Sequence, residues 1–335
     1  MNNNDFWSPE IWKQINGEPP QSGQVGGNLR GAMATNGQPQ EPGVLRTQMG
    51  LIRVAQKIFP TTVRGNDDPI RADTIDNNGI PSAGTTKAVV TLTKKFQLAE
   101  MHIQDPELTM TMNQVMLVAQ ALALAEDALF FQGKTALATQ TDPSNVGDVM
   151  VAGARTLDEG LLGLAKNQTI QVNPMTSTGG STGGSPGGST GGSPGGSPGG
   201  SVFGVKTLDA VKQGIGIFGQ KFQSGPFALI LDPDTYLDTQ VAFQTDSASS
   251  PGDVIKDILV EGGGHFVLSP GLPKDTGLLA ALGSRATQLY IGTGPIAQFN
   301  FPADGNYFFT AKQTIQFHNV DVRSLIKLKF NRPSS

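Results

Sequence analysis

The chain contains no cysteine. That one absence excludes disulfides, thiolate metal sites and cysteine nucleophiles together. Charge is scarce too: Asp, Glu, Lys and Arg make up 16% of residues, against roughly 25% in an average domain. Aromatics stand at 7%, with two tryptophans. The 24 basic and 28 acidic side chains leave a formal charge of −4, so the basic face of a dedicated nucleic-acid binder is not expected. The start, Met1-Asn-Asn-Asn-Asp5, lacks the basic region and apolar core of a signal peptide. No stretch reads as the ~20 apolar residues of a membrane span. A soluble intracellular product without membrane contact is the expectation.

The space left by charge is filled by 43 glycines, 22 prolines and many Asn, Gln, Ser and Thr residues. A length of 335 residues suits one large domain or two modest ones, enough to bury a core. Little charge is available to keep copies apart.

Residues 1–43 are poor core material. After a cluster of Phe6, Trp7, Ile11 and Trp12, residues 17–43 are Gly, Gln, Pro and Asn, with too few apolar groups to offset ordering entropy. Either this is a disordered tail, or an arm that orders against another subunit with the Trp pair as anchor. Residues 44–59 carry apolar groups with Arg46, Arg53 and Lys57, and their spacing fits a short helix or a strand. A polar stretch, 64–86, is followed by alternating runs at 88–93 and 96–103. Together these read as a long β-hairpin projecting from a body, a ribbon barely stable without something to lie on.

Residues 105–133 carry the clearest helix pattern. Asp105-Pro106-Glu107 supplies a cap, a first-turn proline and an acid. The run from 108 to 131 has no Gly or Pro, and Gln132-Gly133 closes it. Only Glu126 and Asp127 are charged in that body, so a buried spine packed nearly all round is predicted. Six Ser-Thr/Pro-Gly-Gly tetrads then fill 177–201. They read as a solvated flexible loop or engineered linker, or as a polyproline-II-like bundle should copies meet on a symmetry axis. Residues 202–335 read as mixed α/β. Helices are expected at 207–222 and 232–241. Strands are expected at 227–231, 255–260, 266–268, 278–282 and 288–292, with two long runs in 307–330.

Chemistry is hard to find. Gly214-Ile-Gly216-Ile-Phe-Gly219 matches a dinucleotide string, but it lies inside or at the end of an apparent helix, so helix packing is the better reading. Gly133-Lys134-Thr135 leaves a helix where a phosphate loop would open one. His102, His265 and His318 stand alone, and Asp67, Asp68, Asp73 and Asp76 lack calcium-loop spacing. Asp232-Pro-Asp234 looks like a helix cap. No catalytic, cofactor-binding or metal residues are assigned, no cofactor is expected, and an enzyme is not expected. A nucleotide-dependent enzyme built on the Gly214 string, and a fibre built on the tetrads, are the competing classes.

The order of elements resembles the HK97-type shell fold of tailed-phage major capsid proteins and linocin-like encapsulins. Ala119-Gln-Ala-Leu-Ala-Leu-Ala-Glu126-Asp127-Ala-Leu-Phe-Phe-Gln-Gly133 looks like that family's spine-helix end. Glu159-Gly160-Leu-Leu-Gly163 and Phe227-Ala-Leu-Ile-Leu-Asp-Pro-Asp234 are similar to encapsulin-type segments. The resemblance implies an α+β, HK97-like capsid fold. Its parts would be an N-terminal arm (1–63), an extended E-loop hairpin (64–103) and a P-domain spine helix (104–139). An A-domain (140–295, with the insertion at 177–201) and C-terminal P-domain strands (296–335) would follow. It implies a structural major capsid protein, self-assembling through hexamers and pentamers into an icosahedral shell around a phage dsDNA genome. DNA would be enclosed without sequence-specific binding, scaffolding or decoration proteins could join, and assembly would occur in the host cytoplasm. The alternative is an encapsulin-like shell around a cargo enzyme. Encapsulins commonly begin with an amphipathic helix, whereas this N-terminus reads as an arm; Arg30, Arg46, Arg53 and Lys57 would form an inward basic face. No Lys–Asn crosslink is placed.

Overall fold

The computed structural model describes residues 7–17, 43–64, 69–75, 80–87, 89–133, 149–153, 159–174, 203–241, 249–283, 287–319 and 321–332. The tetrads, Arg30, Asp67, Asp68, Asp76, Lys134 and Thr135 lie outside this set.

The chain opens with helices α1 (Pro9–Asn16), α2 (Val44–Ile52) and α3 (Ala55–Ile58). Strands β1 (Thr61–Val63), β2 (Ile70–Ile75), β3 (Pro81–Lys87) and β4 (Val90–Ala99) follow, then helices α4 (Glu100–Ile103) and α5 (Thr109–Gln132). Next come β5 (Val149–Gly153), α6 (Gly160–Leu164), β6 (Thr169–Val172), α7 (Gly204–Gln220), β7 (Phe227–Leu231), α8 (Pro233–Thr239) and α9 (Pro251–Val260). The last strands are β8 (His265–Leu268), β9 (Thr276–Ala281), β10 (Thr287–Ile291), β11 (Ile296–Ala303), β12 (Asn306–Asn319) and β13 (Leu325–Phe330).

Strand β12, 14 residues long, is the axis of a six-stranded sheet ordered β1-β10-β12-β4-β5, with β11 also on β12. One edge of β12 pairs with β4 from Asn306↔Ala99 to Ile315↔Val90. The other edge is divided between β11 and β10. The second sheet is ordered β6-β13-β9-β7-β8 and is covered on both faces. Ala228 and Ile230 of β7 point into the larger core, while Leu229 and Leu231 join a second core with Val211 and Phe218 of α7 and Ile255 of α9. A strand with two apolar environments needs no polar face, so 227–231 is continuously hydrophobic.

Helix α5 packs on α2 and β4. From 121 to 131 all but Leu124 are buried. Nearer its start, Met110, Asn113, Leu117 and Gln120 form an exposed stripe, so all-round packing holds for the C-terminal half only. By length and composition α5 could cross a bilayer, which corrects the expectation that no stretch qualifies; 72% of its most apolar window is buried within the protein.

Other expectations are corrected as well. Helix α5 begins at Thr109, after the Asp105-Pro106-Glu107 triplet. Asp105 uses its carboxylate on a turn, accepting from Glu107 N at 3.1 Å and Thr109 N at 3.3 Å. Leu108 is left-handed at φ 53, which breaks the helical path ahead of the helix. Residues 255–260 are helical, within α9, not a strand. The overlooked signal is a capping box: Asp253 N donates to Ser250 Oγ at 3.1 Å and Ser250 N to Asp253 Oδ2 at 2.8 Å. The tail does not form one sheet beside the spine, because β12 and β13 lie in different sheets. A 3-10 turn at Val322–Ser324, capped by Asp321, redirects the chain between them.

Candidate functional site

The most constrained cluster sits where the N-terminal segment meets the spine. Arg53, just after α2, is buried, and its Nε lies 3.0 Å from Glu126 Oε2. Gln313 of β12 donates to the same oxygen at 2.6 Å, and Gln56 donates to Glu126 Oε1 at 2.6 Å. Arg53 Nη2 also donates to Gln313 Oε1. The neighbouring Asp127 accepts from Val54 N at 2.8 Å and Ala55 N at 2.9 Å, capping α3 from another element. Glu126 and Asp127 are both 0% exposed. Burial pushes the Asp127 carboxyl up to about 7, against its two backbone N–H partners. A Cβ at Gly271 would stand 2.8 Å from Asp127 Cβ, so the chain between β8 and β9 packs directly on this node. The polar groups near 53, 126 and 313 are partnered through one another, with the segment at 271 packed against them, which makes the node a register device for the spine.

This removes Arg53 from the expected inward basic face, of which Arg30 lies outside the described residues and Lys57 is exposed. Arg53 is a core residue, Arg46 is partly buried beside Gly294, and Lys57 donates to Leu51 O at 2.6 Å. The neighbourhood 44–59 is helical, as α2 and α3. The sequence signal for the node was the lone acidic pair in an apolar helix, which has to find a cation.

The tryptophans anchor within their own chain. Trp7 is buried and stacks on Phe309 of β12 with centroids 5.2 Å apart; Trp12 meets Trp7 edge-on at 5.2 Å, and Phe96 stacks on Phe309 at 5.1 Å. Asn16 holds the β11 backbone at Ala297, donating to its O at 3.1 Å and accepting from its N at 2.7 Å. For residues 7–17 this corrects both the disordered tail and the arm anchored on a neighbour. A Cβ at Gly43 would stand 2.1 Å from Gly17 N. The chain therefore leaves at Gly17 and re-enters at Gly43 at one point.

Strands β2 and β3 form a separate two-stranded ribbon, Ile70↔Lys87 to Ile75↔Pro81, irregular between Ala72 and Thr74. Among the described residues its strand-type tie to the body is one parallel bridge, Ile75↔Asp321. The ribbon is shorter than expected, because β4 belongs to the six-stranded sheet and 100–103 are helical.

The remaining flagged residues take packing roles. The Gly214 string lies within α7, where a Cβ at 214 would stand 2.5 Å from Leu279 Cδ2. Gly133 closes α5 at φ 87, donating to Leu129 O. Asp232 caps α8, accepting from Asp234 N at 3.2 Å and Thr235 N at 3.4 Å. His102 lies on α4, His318 is buried on β12, and His265 lies on β8, its pKa lowered by burial. Only the backbone of Asp73, in β2, is described. Among the described residues no three His, Asp or Glu side chains are grouped to hold a metal.

No family model matches the chain, and no curated sequence matches it. Solved structures do. A virus-like particle from Pyrococcus furiosus superposes with a TM-score of 0.57 at 14% identity, over 85% of this chain and 96% of that one. The chain has the HK97-type shell fold. Mycobacterium phage Bobi superposes at 0.51 with 11% identity, over 84% and 91%, and Gordonia phage Cozz at 0.51 with 10%, over 84% and 87%.

Proposed function

We propose that this chain is the major capsid protein of a tailed phage, a structural subunit that self-assembles through hexamers and pentamers into an icosahedral shell enclosing double-stranded DNA. The likeness to solved shell proteins over most of the chain carries the reading. The ribbon supports it, since a two-stranded hairpin gains stability when laid on a neighbour. On this reading the ribbon is the E-loop, the six-stranded sheet with α5 is the P-domain, and the five-stranded layer is the A-domain. DNA is confined, not gripped base by base, and assembly takes place in the host cytoplasm, with scaffolding or decoration proteins as candidate partners. The role is structural, without catalysis.

One observation favours the second reading, an encapsulin-like compartment around a cargo enzyme. The N-terminus carries the docked amphipathic helix α1, with Ile15 buried and Glu10 exposed, where the sequence pointed to an arm. Light scattering on the chain expressed alone, with micrographs of the leading peak, tests both. Megadalton hollow particles are expected; a 35 kDa monomer under assembly conditions overturns the shell role. Nucleic acid in particles from the native host supports the capsid, and a co-purifying enzyme supports the compartment.

A further inference from the structure

Helix α7 ends in a turn of Schellman geometry. Gln223 N donates to Phe218 O at 2.9 Å and Phe222 N to Gly219 O at 3.2 Å. The residue inside that turn is left-handed, at φ 57, and is Phe222. Glycine is the usual occupant, because a Cβ is strained there. Phe222 is also 96% exposed, so burial within the chain does not repay the strain. A bulky apolar side chain held out by an unfavourable backbone is an anchor in search of a pocket.

The surroundings offer a complementary surface. Helix α7 lies over β6 and β9, α9 lies over β7 and β8, and the two helices pack on each other, so along the order β6-β13-β9-β7-β8 α7 flanks the β6 side and α9 the β8 side. The chain after α9 runs beside the chain after α7: an ideal Cβ on Gly263 would stand 4.0 Å from Pro226 Cβ. The at least partly exposed charges of α7 and its end are Lys206, Lys212 and Lys221 against Asp209. Those of α9 and its end are Asp253, Asp257 and Glu261 against Lys256. Beside Glu261, Ile258 and Val260 are exposed at 37% and 42%. One flank is basic with an aromatic knob; the other is acidic with a small apolar patch.

Two different but complementary patches on one chain make a head-to-tail contact, which closes into rings when the rotation permits. We propose that Phe222, on the basic α7 flank of one copy, seats against Ile258 and Val260 on the acidic α9 flank of the next. The inference rests on the shell reading and supplies one surface by which copies join. Charge sets the register of the contact, and the aromatic supplies its hold.

Replacing Phe222 separates this role from a structural one. Phe222→Gly relieves the left-handed strain, so the isolated chain keeps or raises its unfolding midpoint, while the protein concentration needed for particles rises tenfold or more. Lys212→Glu weakens assembly, and adding Asp257→Lys restores it. Particles of F222G forming at the wild-type concentration, or a lowered midpoint for that variant, overturn the contact and leave the shell reading standing. A wild-type chain that stays monomeric overturns both.

Discussion

Two places in this molecule reverse the usual partition of side chains. On the spine, Glu126 and Asp127 are acidic side chains and 0% exposed; at the end of α7, Phe222 is aromatic and 96% exposed. The first inversion is answered inside the chain, by Arg53, Gln56, Gln313 and two backbone N–H groups. The second has no such answer. A buried charge with its partners in place reports how the monomer is held in register, whereas an exposed aromatic on a strained backbone reports a surface the monomer does not cover.

The largest test of that contrast is at the node. Arg53→Ala leaves Glu126 buried without its cation and is expected to cost about 3–5 kcal/mol, read from denaturant unfolding. The same node sets a pH dependence. The folded pKa of Asp127 is raised from 3.8 to about 7, so the folded chain holds a proton that the unfolded chain releases. Its contribution to stability is complete below about pH 4 and is lost as pH rises through about 7. An Asp127→Asn chain is expected to lose that slope.

A smaller effect is expected under α7. Gly214→Ala drives a Cβ into Leu279 and is expected to cost about 1–3 kcal/mol. Gly216→Ala and Gly219→Ala enter open space and should be neutral or stabilising. Equal losses at all three positions would remove the packing role given to Gly214. The smallest change in monomer stability is expected at the ribbon. Replacing 70–87 by a short Gly-Ser linker should move unfolding by no more than about 0.5 kcal/mol while preventing particles. A large loss of stability would make the ribbon part of the monomer's core.

Much was legible where one stretch of chain states its own environment. The run 227–231 with Asp232 behind it reads as a buried strand entering a capped helix, and that is β7 followed by α8. The run from 108 to 131 reads as a helix because nothing in it breaks one, and α5 occupies Thr109–Gln132. Arg53 was misread because its sequence neighbours include Arg46 and Lys57, which suggests an exposed basic face. Its partners lie at 126 and 313, and no local pattern joins them. The tryptophans were misread for the same reason: a cluster followed by a glycine-rich stretch looks detached until Phe309 is brought beneath it. Helix α9 was lost although Ser250, Pro251 and Asp253 announce it, because the apolar residues within 255–260 suit a strand equally well.

By itself the sequence determined the spine, the strands with two apolar faces, the glycine at the end of α5 and the lack of thiol chemistry. Those follow from capping, periodicity and composition, which act over a few residues. Only the tertiary structure decided that Arg53 is a core cation, that the first helix is docked, that β12 and β13 part into different sheets, and that Phe222 is stranded outside. Each of these depends on which distant segments meet. Burial of a charge or exposure of an aromatic is a property of that meeting, because desolvation is set by everything that surrounds a group and not by its neighbours along the chain.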